Sequence, residues 1–130
     1  MQTLNRLVAG LALFAAALSA QALEIQPYTP AALSAAQQAG KPVALHFHAD
    51  WCPTCRAQEK SFQSLKADKD LVLTLLVVDY DKERELKKQL QVRAQSTVIV
   101  YKGSKETARS GGETDAAKLN RASLNERGIG

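Results

Sequence analysis

Polar and apolar positions change period several times along the chain. Val43-Ala44-Leu45-His46-Phe47-His48, entered through Pro42, is a mostly apolar run of strand length. Leu71 to Val78 is almost continuously apolar and rich in β-branched residues, the pattern of a strand buried on both faces of a parallel sheet. Thr97 to Tyr101 is another strand. Leu23 to Tyr28 is a short one, confined to a sheet edge because Pro27 has no N–H to give a ladder. Helical patterns alternate with these. Thr29-Pro30 supplies an N-cap and a first helical residue, Leu33 and Ala36 share a face, and Gly40 closes the helix. A second helix runs from Pro53, well placed in a first turn, to about Lys66. A charged helix over Lys82 to Gln91 is expected to be capped by Asp81, with Glu83 and Lys87 spaced to pair. Lys102-Gly103-Ser104-Lys105 reads as a two-residue hairpin turn leading into a last strand through Ala108, and Thr114 to about Glu126 is a weaker amphipathic helix.

The resulting order is strand, helix, strand, helix, strand, helix, strand, strand, helix. Its alternating half calls for right-handed parallel crossovers, and the hairpin adds antiparallel strands. The fold class is α/β: a mixed central sheet of four to five strands flanked by helices on both faces.

The first 22 residues stand apart. Arg6 forms a short positive region, Leu7 to Leu18 an apolar core, and Ala20-Gln21-Ala22 the small-x-small pattern of a signal-peptidase site. The apolar run is shorter than the roughly 20 residues of a membrane-spanning helix; a retained N-terminal anchor is the alternative. The expectation is an exported, periplasmic protein without stable membrane insertion, cleaved before Leu23, with one domain over 23–130. The net charge of +4 falls to +3 once the leader's single Arg6 is removed. Basic and acidic residues are interspersed, with no basic-aromatic run of the kind that binds nucleic acid.

Cysteine usage narrows the chemistry most. Both cysteines of the chain sit in one Cys-x-x-Cys, Cys52 and Cys55. Structural disulfides of exported proteins usually join distant positions, and so short a loop gains little chain entropy from closure. Cys52 falls where a strand's loop meets a helix N-terminus, so orphan N–H groups and the positive end of the macrodipole favour its thiolate. Cys55, one turn on, can reach it but is better shielded. Cys52 is then the attacking thiol and Cys55 the resolving one. Zinc, the rival ligand of a Cys-x-x-Cys, normally needs a second Cys or His pair, and no second Cys pair exists. One metal reading remains open: His46 and His48, two apart on a strand, project to one face and with both thiolates would suit zinc or copper.

The segment Phe47-His48-Ala49-Asp50-Trp51-Cys52-Pro53-Thr54-Cys55 resembles the active-site stretch of the thioredoxin family. Lys41-Pro42-Val43, Arg56 and Glu59 around it are similar to the C-terminal thioredoxin-like domain of DsbD reductant conveyors. The resemblance continues through Val78-Asp79-Tyr80-Asp81 and from Val92 to Gly103. It implies a thioredoxin fold, disulfide exchange with proteins and no organic cofactor; a monomer is expected. The implied partners are protein thiols and disulfides and a redox donor or acceptor protein. Trp51, Pro53 and Thr54 on one side, and Gln95 and Ser96 on the other, would meet the client.

Three positions depart from the family pattern. His46 stands where a buried Asp usually accepts the resolving thiol's proton; an imidazole can do similar work, or it can be a buried histidine bonded to a carbonyl. Val77 replaces a Lys often found beside that acid. Ser96 occupies the place of the near-universal cis-proline facing the cysteines. Pro53-Thr54 between the cysteines resembles the oxidant DsbA in its Pro, whereas the flanks resemble reductants, which leaves the direction of electron flow open.

Overall fold

The computed structural model describes residues 22–124, with backbone alone over 122–124. The expected leader and its cleavage motif lie outside the described residues apart from Ala22. The order is β1 (Leu23–Pro27), α1 (Pro30–Gln38), β2 (Pro42–His48), α2 (Pro53–Leu65), β3 (Leu73–Asp79), α3 (Arg84–Leu90), β4 (Thr97–Lys102), β5 (Lys105–Gly111) and α4 (Ala116–Leu124). The strands form one five-stranded sheet in the order β1-β3-β2-β4-β5. β1, β3 and β2 are parallel, while β4 and β5 are antiparallel to their neighbours. Pro27 therefore sits on an edge strand, where its missing N–H breaks no interior ladder.

Alternation along β2 divides the core. Val43, Leu45 and Phe47 join Leu76, Val78, Ile99 and the α1 and α3 side chains on one face. Ala44 joins Leu75, Val98, Val100, Phe62 of α2 and Leu119 of α4 on the other. The period of two also sends His46 to this second face, where its ring packs 5.3 Å from that of Phe62.

Local signals act as the sequence suggests at most junctions. The Thr29 hydroxyl accepts from Ala32 N at 3.0 Å and starts α1. Gly40, at φ 66, donates to Gln37 O while Lys41 donates to Ala36 O, a Schellman closure that a left-handed residue permits. Gly103, at φ 59, opens the two-residue turn that places Lys102 opposite Lys105.

The start of α3 differs from expectation. Asp81 does not cap it: Asp79 Oδ1 accepts from the N–H groups of Asp81 and Lys82 at 3.0 and 3.1 Å, and the N-cap residue Glu83 makes no side-chain cap bond. β3 runs to Asp79, so the first carboxylate past the core takes the turn, and the helix begins later, at Arg84. Glu83 is the N-cap and its carbonyl accepts from Lys87 N at 3.1 Å, but among the described residues the two side chains form no ion pair; the Lys87 ammonium lies 3.7 Å from the centre of the Tyr80 ring instead. Among the described residues no helix is long and apolar enough to cross a membrane.

Candidate active site

β2 ends at His48 and the chain turns through Ala49, Asp50 and Trp51, with Cys52 N donating to Ala49 O at 3.1 Å. Cys52 is the N-cap of α2, at φ −92 and ψ 112, and Pro53 is its first helical residue. A cap side chain normally accepts from an N–H two or three positions on. Here the acceptor is sulfur: Cys52 Sγ takes the Cys55 N–H at 3.2 Å. Both cysteines are free thiols and both are buried. Cys55 shares the inner face of α2 with Gln58, Phe62 and Leu65.

The two thiols are displaced in opposite directions. Burial opposes ionisation of Cys52, but donors aimed at its sulfur outweigh it: the Cys55 thiol, the Ser96 hydroxyl, and the backbone N–H groups of Cys55 and Thr54 hold Cys52 below the ordinary thiol value. Burial pushes Cys55 up, and the neighbouring Cys52 adds to this.

Ser96 faces this pair from the start of β4. Its hydroxyl lies 3.2 Å from Cys52 Sγ and 3.1 Å from Cys55 Sγ. The Gln95–Ser96 peptide is trans, and Ser96 has φ 66, a left-handed conformation uncommon outside glycine. Three hydrogen bonds hold it there. Ser96 N donates to Phe47 O at 2.9 Å, and Ser96 O accepts from Gly112 N at 3.0 Å and from the Gln58 side chain at 2.9 Å.

His46 belongs to the same network at one remove. Gln58 Nε2 also donates to Glu113 O at 2.9 Å, so both amide protons are committed to carbonyls and Oε1 is left facing His46 Nε2, 2.9 Å away. That fixes the tautomer: Nε2 carries the proton and donates it to Gln58. Burial lowers the His46 pKa to about 4, the Gln58 bond opposing and nearby His48 adding to the shift. The imidazole thus reaches the thiols by way of Gln58 and Ser96. Val77 is the β3 partner of His46, so an apolar side chain adjoins the imidazole.

His48 lies between two carboxylates, with Nδ1 3.7 Å from Asp50 and Nε2 3.5 Å from Glu59, ion-pair separations without hydrogen-bond geometry at Nε2. The rings of His46 and His48 are 5.4 Å apart. Among the described residues no three His, Cys, Asp or Glu side chains are grouped to hold a metal ion. The Cys pair and the two imidazoles therefore do not converge as the metal reading requires.

The other candidate positions surround the sulfurs. Trp51 is 59% exposed beside them, and its indole N–H donates to Asp81 at 2.8 Å. Pro53 and Thr54 are exposed at the head of α2, and Gln95 is half-buried before Ser96. Three contributors were not singled out in advance. Gln58 is fully buried; its signal was a polar residue one turn beyond Cys55 on an otherwise apolar helix face. Asp81 holds the indole rather than capping a helix. Tyr80 packs against Ala49 and the two cysteines and donates to Arg93 O at 3.3 Å.

Comparison with known proteins places this site in a family. The family model described as Thioredoxin matches residues 27–124. Thioredoxin-1 of Drosophila yakuba is 30% identical over 79 residues, 61% of this chain and 73% of that protein. An H-type thioredoxin of Brassica campestris is 34% identical over 74 residues, 57% of this chain and 59% of that protein. The crystal structure of Trxlp from Edwardsiella tarda superposes with a TM-score of 0.71 at 36% identity, over 75% of this chain and 96% of that one. The chain belongs to the thioredoxin family, as a thiol–disulfide oxidoreductase whose dithiol is Cys52 and Cys55.

Proposed function

We propose that Cys52 attacks the disulfide of a client protein and that Cys55 then resolves the mixed disulfide. The opposite displacement of the two thiols carries this reading: the sulfur at the helix cap is held toward thiolate, and the one behind it is kept protonated until needed. The client docks between Trp51, Pro53 and Thr54 on one side and Gln95 and Ser96 on the other. His46 is a positioning residue that acts through Gln58. The Cys55→Ala variant tests the assignment. Mixed disulfides with proteins accumulate on Cys52, read by mass spectrometry of trapped adducts; adducts mapped to Cys55 in a Cys52→Ala variant, with none on Cys52, reverse it.

We further infer that the protein works outside the cytoplasm. The reading is supported by the charged, apolar and small-x-small succession of residues 1–22. An N-terminus at Leu23 in protein isolated from its native host is the expected result, and recovery of the chain with Met1 intact in the cytoplasmic fraction contradicts it.

A further inference from the structure

α3 and the turn after it build a basic groove. Arg84, Lys88 and Gln91 recur at helical spacing with Lys87 beside them, and the left-handed Gln91 carries the chain round to Val92 and Arg93. These six residues line a groove of about 510 Å³, and none of them is acidic. Part of the charge has a local use. Lys87 and Lys88 stand in the last turn, where cations suit the macrodipole, and Lys88 meets Glu85 at 3.3 Å. Arg84 and Arg93 have no such use. Arg84 sits in the first turn, where the macrodipole disfavours a cation, and Arg93 lies beyond the helix. Both are exposed, and among the described residues neither guanidinium makes an ion pair or a hydrogen bond. The groove adjoins the dithiol through Tyr80. Its ring centre lies 3.7 Å from the Lys87 ammonium, its hydroxyl donates to Arg93 O at 3.3 Å, and it packs against Ala49 and both cysteines.

We propose that this groove docks an acidic segment of the client protein, close in sequence to the client's reactive cysteine. The proposal rests on the client meeting Gln95 and Ser96. Arg93 stands just before these residues, and three residues of extended chain cover about 10 Å. A client strand whose sulfur faces Cys52 beside Ser96 therefore brings side chains about three to five positions away within reach of Arg93 and the groove. The other flank of the dithiol offers no equivalent. Asp50, Asp79 and Asp81 line the hollow beside Trp51, but Asp79 accepts from two backbone N–H groups and pairs with Lys82, and Asp81 holds the indole. Attraction between exposed charges speeds encounter and sets partner choice more than it tightens the final contact, and salt weakens it. The groove thus selects among clients, while the exchange chemistry stays with Cys52 and Cys55.

Three peptide disulfides test this, identical except for Glu, Gln or Lys at the third and fourth positions on both sides of the cysteine. The reduced full chain reacts with each in a single turnover, its dithiol becoming a disulfide and the peptide's disulfide two thiols. At about 20 mM salt the Glu peptide should react about tenfold or more faster than the Lys peptide, and at about 500 mM less than about threefold faster. The double variant of Arg84→Gln and Arg93→Gln should lose most of this low-salt preference, yet match the parent with the Gln peptide within about twofold. A control double variant, Lys41→Gln with Lys69→Gln, removes the same charge ahead of β2 and β3, at the opposite end of these strands from the dithiol, and should keep the preference. Equal rates for the three peptides in the parent, or a preference that survives in the arginine variant, would overturn the proposal. So would an equal loss in both double variants, which would leave only net charge at work. Equal rates combined with arginine-dependent binding to phosphatidylglycerol vesicles would make the groove a membrane contact instead. If the parent reduces none of the peptides, the Gln peptide included, the client reading itself fails, and the proposal with it.

Discussion

The Gln58 side chain donates to the Ser96 carbonyl at 2.9 Å, joining positions 38 apart in the chain and both buried. Through this bond the helix that carries the cysteines fixes the loop that faces them. The same amide binds the partly buried Glu113 O and leaves its oxygen to His46, so one side chain partners two backbone carbonyls and one buried imidazole N–H.

Replacing it should therefore be costly. Gln58→Leu keeps the helix face apolar but strands the buried His46 N–H and takes the amide partner from the partly buried Glu113 carbonyl, while Ser96 O keeps its bond from Gly112 N. A buried polar group left unpaired costs about 1–3 kcal/mol, so a loss of about 1–4 kcal/mol is expected in denaturant unfolding at pH 7. A change within about 0.5 kcal/mol would mean that the network is not structurally required.

His46 should make stability depend on pH. Its folded pKa of about 4 lies below the ordinary 6.5, so between these values the unfolded chain binds the proton more readily. Its contribution is complete above about pH 6.5 and is lost as pH falls toward 4, by about 3 kcal/mol in all. The slope of unfolding free energy between pH 7 and 4.5 should be shallower in His46→Gln than in the parent. Identical slopes would show that His46 takes up its proton in the folded state as easily as in the unfolded one.

Ser96→Pro restores the residue usual in the family but does not suit this backbone. Proline fixes φ near −65°, whereas Ser96 stands at 66 and donates its N–H to Phe47 O. A loss of at least about 2 kcal/mol is expected in equilibrium unfolding. A stability equal to or above the parent's would show that the loop adopts a second conformation at no cost.

Trp51 should matter to clients more than to the fold. It is 59% exposed and oriented by Asp81. Asp81→Ala frees the indole, so protein-client KM is expected to rise severalfold, with thiol exchange toward small disulfides and folding stability nearly unchanged. Equal losses with small and protein substrates would place Asp81 in the chemistry rather than in docking.

What could be read from the residues alone was largely local. Thr29, Pro30 and Gly40 mark both ends of α1 because capping is decided by a few neighbouring side chains and one left-handed residue. Cys52 and Pro53 mark the start of α2 for the same reason. The alternation of strand-length apolar runs with helical patterns set the order of elements, and the Gly103 turn added the antiparallel strands that make the sheet mixed. Asp81 failed as a cap because the choice between Asp79 and Asp81 depends on where β3 stops pairing, which its neighbour strands decide. The Ser96 hydroxyl was legible as an oddity, but its contact with both sulfurs spans 44 and 41 positions. Gln58 shows the same limit: its buried place follows from helix spacing, while its carbonyl partners come from 38 and 55 positions away.

The division of labour between the two cysteines is tested most directly by their separate ionisation. The reduced protein is alkylated for short times across pH 4–10, and the rate at each cysteine is followed by mass spectrometry of its peptide. Cys52 is expected to react with a midpoint below that of an ordinary thiol, and Cys55 with one above it, with Cys52 modified first throughout. Coincident midpoints, or Cys55 ionising first, would contradict the assignment of Cys52 as the attacking thiol.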